Sequence, residues 1–171
     1  MIISVEGLSL RIGAAPILQD VSFTVAPGEV FGLIGESGSG KSMTALATMG
    51  LLPNGAKTTG VIRFEGENLL TLPERSRRAL RGARLSMIFQ EPMTALNPLR
   101  SIGDQVAETV SLHSRASAFE AQTRAKEVLD RVGLGRFSLD TFPHQLSGGQ
   151  RQRVMIAMAV ALKPALLIAE A

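Results

Sequence analysis

The sequence predicts an α/β fold with a parallel sheet, preceded by antiparallel strands, and three observations support this class. The first segment alternates apolar and polar side chains, as in ISVEGLSLRI and VSFTV, which is typical of half-buried strands. After residue 30, short apolar runs alternate with helical segments, an order that favours parallel strands joined by helices. Hydrophobic residues make up 45% of the 171 residues and charged residues 19%, so the chain can bury a core.

The individual elements follow from local patterns. Strands are predicted for three apolar runs, of which the first and last read as buried: VFGLIG at 30–35, RLSMIFQ at 84–90 and ALLIA at 165–169. Helices are predicted for three segments with helical spacing or glycine openings: 41–52, 102–132 and the segment from 147 to Lys163. VIRFEGENLL resembles a strand, a turn and a second short element.

Composition excludes several classes of function. Cysteine is absent, which excludes disulfides, thiol catalysis and Cys-based zinc sites. The net charge of +3, without a basic block interleaved with aromatics, favours a solvated mixed surface over a nucleic-acid face. Ser4, Glu6 and Arg11 interrupt the N-terminal apolar residues, so we expect no signal peptide. The longest apolar candidate, 154–169, contains Lys163 and falls short of the ~20 residues of a membrane span, so any membrane role should come through a partner.

The clearest motif is GESGSGKS at 35–42, which matches the phosphate-loop pattern G-x-x-x-x-G-K-[ST] in full. Glycines let successive backbone N–H groups converge on phosphate oxygens, and the start of the following helix adds partial positive charge. Lys41 is expected at the β- and γ-phosphates, and the Ser42 hydroxyl at Mg²⁺. The predicted nucleotide-binding residues are Gly35, Glu36, Ser37, Gly38, Ser39, Gly40, Lys41, Ser42 and Met43.

The only indication of which nucleotide base is bound is the absence of a guanine-binding motif. A GTPase would carry the guanine reader Asn-Lys-x-Asp. Asn54, Asn68 and Asn97 are instead followed by Gly, Leu and Pro, so the sequence favours ATP.

A second helix opens with glycines in LSGGQRQR, residues 146–153. Two glycines in a helix weaken it by about 1 kcal/mol each relative to alanine, so a compensating role is expected. Ser147 and Gln150 have the spacing of a capping box. Gly148 and Gly149 leave the first N–H groups bare of side chains, so this opening is either an ordinary capped helix or a second anion site.

GESGSGKS, IFQEP, LSGGQRQR and ALLIA stand in an order and spacing that resembles the ATP-binding-cassette (ABC) ATPases along nearly all of the chain. The resemblance implies a P-loop NTPase core of the ABC type, with an N-terminal antiparallel β subdomain and a helical insertion. In that family two nucleotide-binding domains pair head to tail, and each clamps ATP between its phosphate loop and the partner's LSGGQ. Ser147, Gly149 and Gln150, together with Gly148, would then bind the nucleotide held on a second domain, identical or not.

The resemblance also predicts how a partial nucleotide-binding domain, 1–171, is organised. Residues 1–90 would form the β subdomain and phosphate-loop core, 91–146 the glutamine loop and helical subdomain, and 147–171 the signature helix and final strand. Gln90 resembles the family's switch glutamine, whose amide can ligate Mg²⁺ and orient the attacking water.

EPMTALNPL at 91–99, with FPHQLSGGQRQR, resembles the branch that imports dipeptides, oligopeptides and nickel. In that branch the region after the glutamine docks a coupling helix of the membrane subunit, and Pro92 and Pro98 would stiffen it. The implied partners are transmembrane permease subunits and a second nucleotide-binding domain, not nucleic acid. The implied location is the cytoplasmic face of the inner (plasma) membrane, as a peripheral subunit.

The sequence departs from the family pattern at three places. Ile12 occupies the approximate place of an aromatic residue that stacks on adenine. In one register Glu170 replaces the aspartate that supports Mg²⁺ and Ala171 replaces the catalytic glutamate; in another, Glu170 is the catalytic acid and the aspartate is missing. The chain also stops at its catalytic strand, so we expect a C-terminally truncated domain with exposed apolar faces and an open sheet edge.

The leading hypothesis is the ATP-binding subunit of an importer of peptides or nickel, an ABC-type ATPase that uses ATP and Mg²⁺. The altered residues at the end of the chain leave its own hydrolysis open. Three alternatives remain: a degenerate module that binds ATP without hydrolysis, a cassette protein of DNA repair or translation, and a gene fragment with no function of its own.

Overall fold

The computed structural model describes residues 1–90 and 95–170 and confirms the α/β class. The described part of the chain forms two compact units, Met1–Arg78 and Ala79–Ala171. The antiparallel strands lie in the first unit and the parallel pair in the second, the order that the sequence predicts. The helices are α1 (Lys41–Met49), α2 (Glu74–Leu80), α3 (Ile102–His113), α4 (Ala118–Arg131) and α5 (Gly148–Val160).

The described strands of the first unit form one antiparallel sheet in the order β2-β1-β3-β4. They are β1 (Ile3–Ile12), β2 (Ala15–Val25), β3 (Ala56–Phe64) and β4 (Glu67–Asn68). Along β1, Ile3 and Val5 are buried before Gly7, and Leu8 and Leu10 are buried after it. The alternation therefore changes phase at Gly7, which has a φ of +58° and where the pairing with both β2 and β3 is irregular.

The segment 30–35 is not a strand, and the prediction of a buried parallel strand there was wrong. No strand within residues 1–90 and 95–170 pairs with it, so its backbone has no ladder to join. Val30 and Ile34 are 98% and 95% exposed, while Phe31 stacks on Phe23 with ring centroids 5.0 Å apart. An apolar run becomes a buried strand only where neighbouring strands are available, which its own residues do not determine.

In the second unit, β5 (Leu85–Ile88) and β6 (Leu166–Ala169) pair in parallel. Helices α3, α4 and α5 pack around a core in which Ile102, Val128 and Val154 are fully buried. Burial of the final strand was predicted, but β6 alternates between half-buried and exposed residues, and Leu167 is 40% exposed. Among the described strands β6 has a single neighbour, which leaves its other edge uncovered.

Helix α4 begins with a capping box formed by Ser117 and Glu120. The Glu120 amide donates to the Ser117 hydroxyl oxygen at 3.3 Å. The Glu120 carboxylate accepts from the backbone N–H of Ser117 and from its hydroxyl, both at 2.7 Å. The backbone bond and then the hydroxyl bond stabilise the carboxylate, so the pKa of Glu120 lies below its ordinary value of 4.5.

We expect the substitution Glu120→Gln to make the stability of the chain less sensitive to acid. A carboxyl whose pKa is lower in the folded state stabilises the fold above the unfolded pKa, and this contribution disappears as the pH falls through the folded pKa. Glutamine preserves the box without titrating. Urea unfolding at neutral pH and below pH 4.5 measures the effect, with Glu67→Gln on exposed β4 as the control for net charge. An equal acid dependence in variant and parent would contradict the assignment.

Candidate nucleotide-binding site

Residues 35–40 form a largely exposed loop, and Lys41 and Ser42 are the first two residues of α1. The Lys41 ammonium donates to the carbonyl oxygens of Gly35 and Glu36, at 2.6 and 2.8 Å, and lies 3.4 Å from the Ser39 hydroxyl oxygen. These bonds connect the start of the loop to its end. They hold a full positive charge across the loop at the protein surface.

Glycine is required inside this loop by conformation and by packing. Gly38 and Gly40 have φ values of +83° and +92°, a region that favours glycine. A Cβ at Gly40 would also overlap the Cδ2 atom of Leu18 on β2. The loop therefore rests against the antiparallel sheet with no room for a side chain at this position.

The start of α1 lacks a cap of the kind found on the later helices. Its N-cap is Gly40, and no described side chain accepts a hydrogen bond from its first turn. The N-caps of α3, α4 and α5 are Ser101, Ser117 and Ser147, each of which accepts a bond from a first-turn amide. The first turn of α1 therefore has no capping side chain, and its amides lie beside the Lys41 charge.

The predicted capping box of α5 is confirmed. The Ser147 N–H donates to Oε1 of Gln150 at 2.8 Å, and the Gln150 N–H donates to the Ser147 hydroxyl oxygen at 3.4 Å. At Gly148 and Gly149, no described atom outside the adjacent residues and the helix's own backbone lies within 4 Å of the place a Cβ would take. Neither glycine is needed for packing inside the described chain, although each weakens the helix.

Helices α4 and α5 begin with the same geometry but opposite electrostatics. The N-cap serines have φ and ψ of −64° and 163° at Ser117, and of −65° and 163° at Ser147. The third helical residue is the anion Glu120 in α4 and the neutral Gln150 in α5, whose first turn contains no acidic residue. The start of α5 therefore keeps its positive potential, which favours an anion there.

Gln90 and Glu170 lie at the same edge of the parallel pair. Ile88 of β5 is aligned with Ala169 of β6, and the Glu170 N–H donates to the Ile88 carbonyl at 3.0 Å. Gln90 follows β5 by two residues and is exposed, whereas Glu170 follows β6 directly and is half-buried. Carboxyl ends of parallel strands are where ligands of α/β folds bind.

Some sequence predictions fall outside the described residues. These are the substitution of the catalytic glutamate by Ala171 and the part of the docking loop at 91–94, which includes Pro92. Ile12, the position of the missing aromatic, lies half-exposed at the end of β1. Within the described part of the chain, no three His, Asp or Glu side chains group as a metal site.

Sequence reasoning missed the role of Arg151 beside the signature segment. Its guanidinium bonds to two backbone carbonyls that precede α5. Its position four residues after the capping serine was the available signal, because helix-entry contacts are commonly made from there.

Comparisons with known proteins identify relatives along nearly the whole chain. The family model described as ABC transporter matches residues 18–170. A peptidoglycan transport ATP-binding protein of Agrobacterium fabrum is 51% identical over 99% of this chain and 32% of its own length. An oligopeptide transport ATP-binding protein of Salmonella typhimurium is 46% identical over 92% and 48%, and a dipeptide transport ATP-binding protein of Escherichia coli is 44% identical over 99% and 54%. The chain spans from about a third to about half of the length of these relatives.

Solved structures share the fold. A dimeric ATP-binding cassette in a post-hydrolysis state, bound to ADP and Pi, superposes with a TM-score of 0.84 at 26% identity. The match covers 98% of this chain and 72% of that chain. The ATP-binding subunit of an ABC transporter gives a TM-score of 0.79 at 30% identity, covering 99% and 65%. No helix within the described residues is both long and apolar enough to cross a membrane.

Proposed function

This chain belongs to the ABC transporter family of ATP-binding domains, and from that membership we propose that it binds Mg·ATP at residues 35–43. The observation that supports this most strongly is the Lys41 ammonium, held across the loop beside the amides of α1. On binding, Lys41 exchanges its carbonyl partners for β- and γ-phosphate oxygens. The exchange replaces neutral acceptors by anionic ones, so it favours the nucleotide.

For Mg²⁺ we propose the residues that the family resemblance implies, Ser42 and Gln90. Each carries an oxygen donor of a type that Mg²⁺ accepts, the hydroxyl of Ser42 and the side-chain amide of Gln90, and both residues are exposed. Bound Mg²⁺ neutralises charge on the β- and γ-phosphates. At the adenine base, the apolar Ile12 stands where the family has a stacking aromatic residue, so we expect ATP to be held mainly through its phosphates.

Calorimetric titration of the chain with ATP, with and without Mg²⁺, tests nucleotide binding. We expect one Mg²⁺-dependent site per chain for ATP. Absence of Mg²⁺-dependent uptake by folded chain would overturn the proposed function.

We propose further that ATP on the loop is closed by Ser147, Gly149 and Gln150 of a second nucleotide-binding domain. The open space at Gly148 and Gly149 supports this, since both glycines carry a helix cost without a packing reason in the described chain. The positive potential at the start of α5 supports it independently, because it suits a γ-phosphate.

The substitution Gly149→Ala should separate this role from stability. Alanine raises helix propensity, so we expect an unfolding free energy that is equal or up to about 1 kcal/mol higher. The added methyl group would stand where the phosphate approaches, so dimerisation in Mg·ATP should weaken at least about ten-fold, measured by sedimentation velocity. Gln152→Ala, at an exposed position of the same helix, is the control and should dimerise like the parent. Normal dimerisation of the glycine variant would contradict the two-domain site.

For the complete protein we propose peptide import. The relatives described above are named for peptidoglycan, oligopeptide and dipeptide transport, which favours peptides over nickel. The expected partners are transmembrane permease subunits, and the expected place is the cytoplasmic face of the membrane. Co-purification of the chain with permease subunits tests this, and recovery with ribosomes or DNA instead would favour the cassette proteins of translation or repair.

Hydrolysis by the chain itself is the weaker expectation, because the family's acidic pair is altered at residues 170 and 171 in either register. In one register the group that polarises water is lost, and in the other the aspartate that supports Mg²⁺ is lost. Measuring phosphate release at saturating Mg·ATP decides between ATP hydrolysis and ATP binding without hydrolysis. Tight binding without release would support the alternative of a non-hydrolytic module.

A further inference from the structure

Arg151 connects the first turn of α5 to the residues that lead into it. Its Nε–H group is shared between the carbonyl oxygens of Pro143 and Leu146, at 2.8 and 3.1 Å. Both carbonyls precede the capping residue Ser147. One side chain inside the helix therefore fixes the backbone on the other side of the cap.

The lead-in that Arg151 holds is ordered by contacts of its own. The Phe142 N–H donates to Oε1 of Gln145 at 2.7 Å, and the Phe142 ring stacks on His144 with centroids 5.8 Å apart. Leu146 is buried, with 4% of its surface exposed. Arg151 thus joins two ordered segments, the turn at Pro143–Gln145 and the helix, at the point where the signature residues begin.

Arg151 occupies a helix position that commonly takes part in setting how the chain enters the helix. Leu146 directly precedes the cap, and Arg151 is the fourth helical residue, counting Gly148 as the first. These are the two positions whose side chains commonly pack together and set the angle at which a chain enters a helix. Here the contact is a hydrogen bond from a guanidinium to a carbonyl, which has a defined direction as well as a defined distance.

The first turn of α5 differs in charge from the first turns of α3 and α4. The N-terminal end of a helix carries partial positive charge, and the first turns of α3 and α4 contain Asp104 and Glu120. The first turn of α5 contains no acid, and Arg151 follows it directly. No acidic residue of this first turn therefore offsets the positive end of the helix dipole, which leaves it available to an anion.

We propose that Arg151 is a positioning residue of the nucleotide-binding face of α5. By holding the Pro143 and Leu146 carbonyls, it fixes the direction of the Ser147 hydroxyl and of the Gly148 and Gly149 amides toward a phosphate bound on a second domain. Arg151 acts through the backbone and does not touch the nucleotide. The inference rests on the proposed function and adds to it the device that orients the signature segment.

Two substitutions of Arg151 by side chains of similar length distinguish the effect of its hydrogen bond from the effect of its size. Arg151→Gln keeps an N–H donor without the charge, whereas Arg151→Met fills similar space with no donor. Arg153→Met is the control, because Arg153 reaches the Val132 carbonyl at 3.5 Å, away from the lead-in. In the nucleotide-free chain, the Ser147 and Gln150 amides, which donate the two hydrogen bonds of the capping box, should exchange about ten-fold faster in the Arg151→Met variant than in the parent. The Arg151→Gln variant and the Arg153→Met variant should exchange like the parent.

Dimerisation in Mg·ATP provides the functional readout. We expect Arg151→Met to weaken dimerisation about ten-fold or more, Arg151→Gln within about three-fold of the parent, and Arg153→Met not at all. Binding of ATP to the phosphate loop of the monomer should be equal in all four proteins. This split between nucleotide binding and dimerisation is not expected of a residue that only stabilises the fold.

The results that overturn the inference are distinct from those that overturn the proposed function. Equal exchange and equal dimerisation in the Arg151→Met and Arg153→Met variants would remove the positioning role. So would a loss of dimerisation that merely tracks a lower unfolding midpoint. If the parent binds Mg·ATP but never dimerises, the two-domain site fails and the role of Arg151 in it fails as well, whereas failure of Mg·ATP binding itself refutes the proposed function.

Discussion

Replacing Lys41 by alanine lowers the affinity for Mg·ATP on the order of 100-fold, the largest expected effect of any single substitution in the phosphate loop. The Nζ group, now bonded to the Gly35 and Glu36 carbonyls, is the one full positive charge inside residues 35–42. Charge-assisted bonds to phosphate oxygens are about twice as strong as neutral ones, and alanine replaces none of them. Calorimetric titration with ATP in Mg²⁺ measures the loss.

Lys57→Ala is the matched control for this substitution. It removes the same charge from the same compact unit, at an exposed position on β3. We expect its ATP affinity to equal that of the parent, and both variants to unfold near the parent midpoint because neither side chain is buried. An unchanged affinity in the Lys41→Ala variant would place the phosphates elsewhere and refute the assignment of the loop.

Replacing Gln150 by glutamate should leave the fold intact and abolish most of the ATP-driven dimerisation. The box of α4 shows that glutamate forms the same cap, with the Glu120 carboxylate 2.7 Å from the Ser117 nitrogen. An anion in the first turn also favours the helix dipole, so stability should hold or rise. Like charges brought together at an interface cost several kcal/mol, so we expect dimerisation in Mg·ATP to weaken at least about 30-fold.

The reverse exchange, Glu120→Gln, serves as the control because it makes the opposite change in a box of equal geometry. It should change acid stability, as described above, and leave dimerisation untouched. Sedimentation velocity across a range of chain concentrations compares the two variants with the parent. Equal dimerisation constants for the Gln150→Glu variant and the parent would mean that the start of α5 does not face a phosphate.

Local patterns account for much of what the sequence predicts correctly. The capping box of α5 depends only on Ser147 and Gln150, three residues apart, and the structure confirms it. The alternation of apolar and polar residues likewise predicts the strand β1, although its change of phase at Gly7 is seen only in the strand pairing. In both cases the interactions that decide the structure lie within a few residues, or act on every second residue, so the sequence contains them.

Other features were beyond local reasoning. The apolar segment 30–35 reads as a buried strand, but its burial depends on strands that none of the described residues supply. The absolute need for glycine at Gly40 combines a positive φ with the approach of Leu18, which lies 22 positions earlier in the chain. Contacts between distant segments depend on how the elements pack, and the periodicity of the sequence does not predict them.

The sequence by itself determined which chemical groups are available for binding. These are a lysine and a serine after a glycine-rich loop, two helix N-termini without bulky side chains, and an amide and a carboxylate after two strands. These follow from residue type and spacing, because phosphate loops, caps and strand ends are local structures. Only the tertiary structure decided where the Lys41 charge rests, that Gln90 and Glu170 share a sheet edge, and that Arg151 reaches back across the cap. Those arrangements depend on distances between separate segments, which packing sets and the order of residues alone does not.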